Sequence, residues 1–241
     1  MTIDTVVLDI EGTVCPISFV KDTLFPYFID KLPAELDKFE YPLNQVGSDN
    51  PIVNILDNLP SNITESAQSI YNYLKNLVDY DIKDPVLKSL QGLIWTRGYE
   101  SGELKAPLFP DAIDFIESFS RNHKIYIYSS GSIAAQKLLF GHVDNGSDKS
   151  IDLNKQLSGY FDITTAGPKK VFPSYSKILR EIGKEENPQS VLFLSDNLEE
   201  VKAALKAEMQ SYVVIREGNA PISDEDKSKY KAVCSFTELK I

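Results

Sequence analysis

The chain has 241 residues, of which 42% are hydrophobic and 25% charged, a globular composition with room for one large domain or a domain that carries an insert. Its net charge of −10, with no basic run longer than Lys169-Lys170, argues against a nucleic acid or an anionic membrane as partner. The two cysteines, Cys15 and Cys234, form no CxxC pair, which excludes a disulfide scaffold and a zinc site.

The sequence contains no recognisable targeting signal. Its start has no charged segment followed by an apolar stretch, so we expect no secretory signal. No window approaches the roughly 18 apolar residues of a membrane span. We therefore expect a soluble intracellular protein, cytoplasmic with the nucleus left open, and a monomer, since nothing in the sequence demands an obligate partner.

The first predicted element is a strand, the apolar run Val6 to Leu8, which delivers Asp9 to its carboxyl end. Glu11 and Gly12-Thr13 follow directly. Two carboxylates one residue apart, followed by Gly-Thr, suit a hard cation and a phosphate. On these residues alone, a strand that ends in a solvated polar turn is an equally good interpretation.

The segment that follows, 16–108, is predicted to be an all-helical insert, because its apolar residues recur at helical spacing and no strand pattern interrupts them. Its expected elements are a helix from Phe19 to Leu32 despite Pro26, a loop over 41–62, a helix over 63–78 with Thr64 as N-cap, and a helix from Pro85 through Trp95.

From Asp111 onward, helices and strands alternate, which predicts an α/β domain with a Rossmann-like parallel sheet. The expected helices are 111–123, 132–140, 173–182 and 198–209, and the expected strands are 124–130, 161–165, 190–196, 211–216 and an edge strand over 233–236. A polar loop with a helical turn is expected over 218–231. The predicted division is thus 1–15 plus 109–241 for the α/β domain and 16–108 for the insert.

Three of these strands end in polar residues. Asp9 and Glu11 follow the first, Ser129-Ser130-Gly131 ends the second, and Ser195-Asp196-Asn197 ends another. Because parallel strands place their carboxyl ends at one edge of a sheet, these residues should share a crevice. Each of the latter two groups can also be read as the N-cap turn of the following helix, and one sequence does not separate a cap from a metal ligand.

A lysine pair, Lys169-Lys170, lies in the loop before the helix at Pro173. One of the two ammonium groups could cancel phosphate charge at the crevice, whereas most lysines are simply solvated. Position alone leaves open which lysine does so.

In this order, Asp-x-Glu-Gly-Thr, Ser-Ser-Gly, a loop lysine and Ser-Asp-Asn resemble the four motifs of the haloacid-dehalogenase-like hydrolases. The resemblance implies that Asp9 is a nucleophile that forms an aspartyl-phosphate and that Glu11 is the acid–base. It also implies that one Mg²⁺ per subunit binds Asp9, the Glu11 carbonyl and Asp196, with the helical insert as a mobile cap. Most phosphatases of that superfamily have Asp-x-Asp where this chain has Asp9-Ile-Glu11.

Longer stretches are similar to one family within that superfamily, the enolase-phosphatases (acireductone synthases) of methionine salvage. They are 101–106, 126–132 and 135–142, together with the first strand. The resemblance implies enolisation and then Mg²⁺-dependent dephosphorylation of 2,3-diketo-5-methylthiopentyl 1-phosphate. Ser129, Ser130 and Lys169 would bind this substrate, Lys169 being chosen by counting back without gaps from Ser174-Tyr175.

Weaker expectations concern the surroundings of these residues. Asn197 and Glu200 are expected to orient Asp196 and water on the metal, with a helix start and a surface residue as the alternative. The stretch 101–105 is expected to help select the methylthio chain.

Three other functions remain open on the sequence. A general small-metabolite phosphatase of the same superfamily would hydrolyse several sugar phosphates without enolisation. A dehalogenase shares the nucleophilic aspartate but leaves Asp196 and Glu11 without a role. A phospho-accepting receiver module, which is not an enzyme, is about half as long and has no helical insert.

Overall fold

The computed structural model of the protein describes residues 2–43 and 49–241. The chain divides into two compact units, Met1–Phe19 with Lys105–Ile241 (unit 1) and Val20–Leu104 (unit 2). The division expected from the sequence cuts the chain within a few residues of the same places. The role of the helical unit as a cap stays a prediction.

Unit 1 is built on a six-stranded sheet in which all neighbouring strands are parallel. The strands are β1 (Thr5–Leu8), β2 (Lys124–Tyr128), β3 (Gly159–Phe161), β4 (Val191–Ser195), β5 (Gln210–Val214) and β6 (Ala232–Val233). Their spatial order is β3-β2-β1-β4-β5-β6. This order reverses between β1 and β4, and open α/β sheets bind their ligands at the carboxyl ends of strands at such a point.

The register of the central strands fixes which residues meet at that edge. Leu8, the last residue of β1, lies opposite Ile127 of β2 and Leu194 of β4. Asp9 is therefore level with Tyr128 and Ser195, the last residues of β2 and β4, so the three strands end within one residue of one another.

Helices of unit 1 cover the sheet with their apolar faces. They are α5 (Pro110–Phe119), α6 (Ile133–Gly141), α7 (Phe172–Glu181) and α8 (Leu198–Lys206). A further short helix of this unit, α9 (Asp224–Lys229), has no buried residue. One buried cluster joins the sheet to α7 and α8, with Val7, Tyr128 and Phe193 from the strands against Tyr175 and Ile178. Because strand and helix side chains pack together in this cluster, it supports the strands whose carboxyl ends carry the polar residues.

Within the described residues of unit 2, helices joined by turns and irregular segments are the only regular secondary structure. A π-helical turn (Val20–Leu24) leads into α1 (Phe25–Leu36), followed by α2 (Pro51–Leu56), α3 (Ala67–Asp79) and α4 (Pro85–Ser101). Pro26 lies in the first turn of α1, where the missing N–H group is not needed. A second buried cluster, including Phe28, Leu56 and Leu74, forms the core of this unit.

Several sequence predictions about local structure were wrong. The strand expected over 161–165 ends at Phe161, because the Asp162 carboxylate accepts the amide hydrogens of Thr164 and Thr165 and turns the chain. The loop expected over 41–62 contains α2, which starts at a side-chain cap from Asn50 with Pro51 behind it. Residues 44–48 of that loop lie outside the described residues.

Other differences concern where helices and strands stop. Ser66, and not Thr64, caps α3, since the Ser66 hydroxyl accepts the Ser69 amide hydrogen whereas Thr64 donates to the Ser61 carbonyl. The predicted edge strand over 233–236 is two residues long and is followed by a 3₁₀ turn at Phe236–Glu238.

Within the described residues, none of the helices has the length and apolarity needed to cross a membrane.

Candidate active site

The polar residues that follow β1, β2 and β4 meet at one edge of the sheet. Asp9 is 5% exposed and donates its backbone N–H to Leu194 O at 3.0 Å. Ser129, also buried, follows β2, and Asp196 follows Ser195 at the end of β4. The structure thus brings three of the predicted strand ends to one crevice.

The loop after β1 is a tight turn around Gly12. Thr13, Val14 and Cys15 all donate their amide hydrogens to Ile10 O, and the Gly12 N–H donates to Cys15 O at 2.8 Å. Gly12 has a φ of +72°, in the left-handed region that favours glycine. A Cβ atom there would lie 2.8 Å from Asp196 Oδ2, so the close approach of Asp196 also requires glycine.

Lys169 binds this edge from the loop before α7. Its Nζ atom lies 2.5 Å from Asp9 Oδ1 and 2.8 Å from Glu200 Oε2, and its side chain is buried. Burial alone would lower the pKa of Lys169, but the charges of Asp9 and Glu200 outweigh it and raise the pKa above the ordinary lysine value. Lys170 is exposed, so the structure places Lys169 and not its neighbour in the crevice.

Three hydroxyl groups hold the backbone of the Lys169 loop. Tyr128 donates to Gly167 O at 2.7 Å, Ser174 to Pro168 O at 2.7 Å, and Tyr175 to Lys169 O at 2.6 Å. Tyr128 and Tyr175 are fully buried, and burial raises the pKa of both phenols, to about 12 for Tyr128, so that they remain donors at neutral pH. Three successive carbonyls are therefore fixed in direction.

At the end of β4, the helix cap and the candidate metal ligand are two different residues. The Asn197 side chain accepts the Glu199 N–H at 3.0 Å and is the N-cap of α8. Asp196 has a different role, since its backbone N–H donates to Thr13 Oγ1 at 3.0 Å and its carboxylate faces Gly12. The alternative that Asp196 is the cap is thereby excluded.

Glu200 is part of the crevice and not a surface residue. It is 7% exposed, and its Oε2 atom accepts the Ser195 hydroxyl hydrogen at 2.8 Å in addition to contacting Lys169. The sequence suggests that Glu200 orients Asp196, whereas its hydrogen bond and ion pair in the structure are with Ser195 and Lys169.

The carboxylates of this crevice carry more negative charge than Lys169 cancels. Burial, and then the charges of Asp9 and Glu200, raise the pKa of Asp196 above its ordinary value. Burial and the charge of Asp9 also raise the pKa of Glu200. Three carboxylates against one ammonium leave a charge of about −2 when all are ionised, which favours a bound divalent cation.

The remaining predicted site residues differ in exposure. Ser129 accepts the Gly131 N–H at 3.3 Å through its hydroxyl, whereas Ser130 is exposed. Glu11 is half-buried in the loop after β1, and its charge contributes, after burial, to a raised pKa of the Cys15 thiol. The start of α6 lies beside these serines, with Ser132 as its side-chain cap. Two amide hydrogens of this helix start already have acceptors, since Ile133 donates to Asp162 Oδ2 and Ala135 to Ser132 Oγ, both at 3.3 Å.

The donor set at the crevice fits a magnesium ion in type. Within residues 2–43 and 49–241, no group of three or more His, Cys, Asp or Glu side chains is arranged to hold a metal ion. The predicted ligand set has only two carboxylates, Asp9 and Asp196, together with the Glu11 carbonyl. Oxygen ligands, water making up the rest, are what Mg²⁺ prefers.

Sequence reasoning missed the residues that support the crevice. The sequence places Tyr128 in a strand and Tyr175 in a helix and assigns neither a role, and it predicts only a polar loop over 218–231. The one available signal was the pair of tyrosines on either side of the Gly-Pro-Lys loop, because buried tyrosine hydroxyls generally require an acceptor.

The chain is similar over its full length to other proteins. Residues 3–208 match the family of haloacid dehalogenase-like hydrolases. A protein named enolase-phosphatase E1 from Candida tropicalis is 63% identical, and the match covers 100% of both chains. The UTR4 protein from Saccharomyces cerevisiae is 45% identical in sequence. Its crystal structure matches this one with a TM-score of 0.85, over 99% of this chain and 100% of that one. CbbY from Rhodobacter sphaeroides, 16% identical with a TM-score of 0.58 over 99% and 97% of the two chains, shares the fold.

Proposed function

The chain belongs to the haloacid dehalogenase-like hydrolases and, within them, to the enolase-phosphatase E1 proteins, and from this premise we propose that it is the enolase-phosphatase of methionine salvage. The substrate would be 2,3-diketo-5-methylthiopentyl 1-phosphate. The products would be 1,2-dihydroxy-3-keto-5-methylthiopentene and phosphate. Action as a monomer, in the cytoplasm or nucleus, stays a prediction.

One geometric observation carries the phosphatase half of this proposal. Asp9 is buried at the switch point of the sheet, with the Lys169 ammonium 2.5 Å from its carboxylate. A carboxylate in this position, paired with a neighbouring cation, is suited to attack phosphorus, and the cation is suited to bind phosphate oxygens. Full-length identity of 63% to a protein named enolase-phosphatase E1 supports the enolase half.

We assign magnesium as the cofactor, one ion per subunit. Asp9, Asp196 and the Glu11 carbonyl would hold it, and the surplus negative charge of the crevice supports a cation there. When bound, the ion neutralises charge on the phosphate and on the enediolate.

In the enolisation step, the Glu11 carboxylate removes a proton from the carbon that bears the phosphate ester. The electron pair of that C–H bond forms a carbon–carbon double bond, and the π pair of the adjacent carbonyl moves to its oxygen. Water gives this oxygen the proton that makes it an enol, while Glu11 keeps the proton that it removed. Glu11 is proposed as the base because it stands beside the nucleophile and neither histidine, His123 or His142, lies in the four motifs.

In the hydrolytic step, an Asp9 oxygen attacks phosphorus and the bond from phosphorus to the enol oxygen breaks. Glu11 gives a proton to that leaving oxygen. Lys169 and Ser129 stabilise the charge on the phosphoryl oxygens. Glu11 then takes a proton from water, which attacks the aspartyl-phosphate and releases phosphate and the Asp9 carboxylate.

Two variants separate the steps of this mechanism. Asp9→Asn should abolish phosphate release while retaining some enolisation, because the base is intact and the nucleophile is lost. Glu11→Gln should abolish both. The enol is followed by ultraviolet absorbance and phosphate by a colorimetric assay. Full-rate enolisation by Glu11→Gln would show that another group is the base, and failure to trap an acyl-phosphate in the wild type would exclude the covalent step.

A further inference from the structure

The turn that follows β5 contacts the backbone of the loop after β1 at two consecutive carbonyls. Asn219 Nδ2 donates to Gly12 O at 2.9 Å, and Arg216 Nε donates to Thr13 O at 3.3 Å. The sequence predicts Arg216 as the end of a strand and Asn219 as part of a polar loop over 218–231. Both side chains instead contact the segment that carries Asp9 and Glu11.

Arg216 is itself firmly placed. Its guanidinium group lies 2.9 Å from Asp111 Oδ2 and stacks over Phe109 and Phe236, at 4.4 Å and 5.1 Å from the ring centroids. The turn is therefore anchored to α5 and to the end of the chain, and it can act as a fixed support for its neighbour Asn219.

The orientation of the Asn219 amide follows from its two partners. Its Nδ2 atom donates to Gly12 O and also to Val214 O at 3.1 Å. Both partners are carbonyl acceptors, so the NH₂ group must face them and the Oδ1 atom must face the opposite way. Asn219 thus ties the end of β5 to the Gly12 peptide.

The Oδ1 atom of Asn219 points to the side of Gly12 on which Asp196 lies. A Cβ atom on Gly12 would be 2.7 Å from Asn219 Oδ1 and 2.8 Å from Asp196 Oδ2. Within the described parts of the chain, this Oδ1 atom is buried and has no hydrogen-bond partner. A buried acceptor without a partner is costly, and it is retained where it serves a site.

Gly12 has no side chain that could restrict its backbone, so its conformation depends on hydrogen bonds with neighbouring residues. Its N–H group is held by Cys15 O at 2.8 Å, and its carbonyl is held by Asn219. Since the peptide bond is planar and trans, the direction of the Gly12 N–H also fixes the direction of the Glu11 carbonyl, on the opposite side of the same peptide. Asn219 completes the restraint on this glycine.

We propose that Asn219 is a positioning residue for the magnesium site, which holds the Gly12 turn so that the Glu11 carbonyl and the Asp196 carboxylate face a common point. This inference rests on the proposed function, because it deepens the assignment of the ligand set. Residues that orient metal ligands without touching the metal typically contribute about 10–100-fold to metal affinity.

The test measures magnesium binding without substrate. Mg²⁺ is titrated into the full-length protein, and the dissociation constant is taken from the rise in melting temperature with Mg²⁺ concentration. Asn219→Ala is compared with the wild type and with Asn154→Ala. Asn154 is a matched control in unit 1, because its Nδ2 also donates to a backbone carbonyl, Lys137 O at 3.0 Å, and its Oδ1 accepts from Tyr160.

We expect both alanine variants to melt at a lower temperature in chelator, and only Asn219→Ala to bind Mg²⁺ about tenfold or more weakly. If Asn219→Ala does not fold, Asn219→Ser, which keeps a small donor, is judged by the same criterion. An Mg²⁺ dissociation constant within twofold of the wild type, or an equal weakening in Asn154→Ala, would overturn the inference. So would a wild type without any Mg²⁺-dependent shift. Failure of the proposed function shows separately, as wild-type protein that binds Mg²⁺ but leaves the diketo-phosphate unchanged.

Discussion

At the scale of single residues, Lys169 is the group on which the charge balance of the crevice depends. Its ammonium contacts Asp9 and Glu200 directly, and all three side chains are buried. An uncompensated charge in such surroundings is far more costly than a surface charge, so loss of either the lysine or its carboxylate partners would leave a buried charge unpaired. The same ammonium is available to a phosphate that approaches Asp9.

Replacement of Lys169 by methionine should abolish most activity and also destabilise the protein. Loss of one transition-state donor typically lowers kcat by about 10²–10³-fold, and removal of one partner of a buried ion pair costs about 3–5 kcal/mol. Lys170→Met is the matched control, because this neighbouring side chain is exposed. Phosphate release and thermal unfolding are measured on both variants, and equal effects of the two would contradict the role of Lys169.

Gly12→Ala should be much more harmful than an alanine at another glycine of the same conformation. Gly183 has a φ of +71°, against +72° for Gly12, but a Cβ at Gly183 meets nothing within 4 Å. Gly183→Ala therefore reports backbone strain alone, about 1–2 kcal/mol. Gly12→Ala adds a clash with Asp196 and Asn219 and should also remove activity. Urea unfolding and phosphate release distinguish the two, and an active Gly12→Ala variant would refute the close approach.

Residue identity in the crevice was largely readable from the sequence where a residue follows a strand directly. Asp9, Ser129 and Asp196 follow buried apolar runs, and the parallel sheet brings such ends together whatever the loops do. The choice of Lys169 needed the resemblance, since two adjacent lysines are equivalent in pattern. Asn219 could not be found, because its role depends on a contact across 207 residues of the chain.

At the scale of elements, β2 and α7 together shape the Lys169 loop. The tyrosine at the end of β2 and the serine and tyrosine in the first turn of α7 donate to the carbonyls of Gly167-Pro168-Lys169. A loop is normally more mobile than the elements it connects. Here its three carbonyls are bonded to hydroxyls on a strand and a helix, which makes the position of Lys169 a property of the core.

Tyr175→Phe should lower both stability and activity without loss of the fold. The change removes one buried hydroxyl and leaves Lys169 O without that donor, at a cost of about 1–3 kcal/mol. Tyr80→Phe is the control, since Tyr80 is 72% exposed. Melting temperature and kcat are measured for both. A Tyr175→Phe variant that is destabilised but has wild-type kcat would show that the hydroxyl does not position Lys169.

Element types were more predictable than their ends. Apolar residues at helical spacing predicted the helices α3, α4 and α7, and short apolar runs predicted the strands β1, β2 and β4. The failures came from short-range hydrogen bonds that pattern does not show. Asp162 ends β3 by capturing amide hydrogens, and Asn50-Pro51 starts a helix of six residues inside a segment whose composition is that of a loop.

At the scale of the whole molecule, two sets of carboxylates give opposite dependences of stability on pH. Burial would raise the pKa of Asp111, but hydrogen bonds from Arg216, Phe236 and Ser235 outweigh it and lower the pKa. Burial would also raise the pKa of Asp162, but hydrogen bonds from Thr165 outweigh it and lower the pKa. The pKa values of Asp196 and Glu200 are raised instead, chiefly by burial, and that of Asp196 reaches about 7.

We expect the melting temperature in chelator to rise as the pH falls from 8 towards about 5, and then to fall below about 4. A raised folded-state pKa makes the folded protein take up protons that the unfolded chain does not bind, so acidification through about 7 stabilises it. A lowered pKa contributes stability above the unfolded value near 3.9, which is lost as the pH falls through the folded value.

Two variants assign the limbs of this profile. Asp196→Asn should flatten the neutral limb, and Asp111→Asn should weaken the acid limb and leave the neutral one. Saturating Mg²⁺ should also flatten the neutral limb, because a bound cation lowers the pKa of its carboxylate ligands. Calorimetry at each pH measures these changes, and a neutral limb that Asp196→Asn leaves intact would contradict the charge balance described for the crevice.

The measurement that tests the central claim most directly follows ultraviolet absorbance and phosphate release together in one reaction. The purified protein is mixed with 2,3-diketo-5-methylthiopentyl 1-phosphate and Mg²⁺, and several sugar phosphates are offered in parallel. We expect the absorbance of the conjugated enol to change before phosphate is released, and we expect little turnover of the sugar phosphates. Comparable release from the sugar phosphates, with no enol signal from the diketo-phosphate, would contradict it and indicate a general phosphatase.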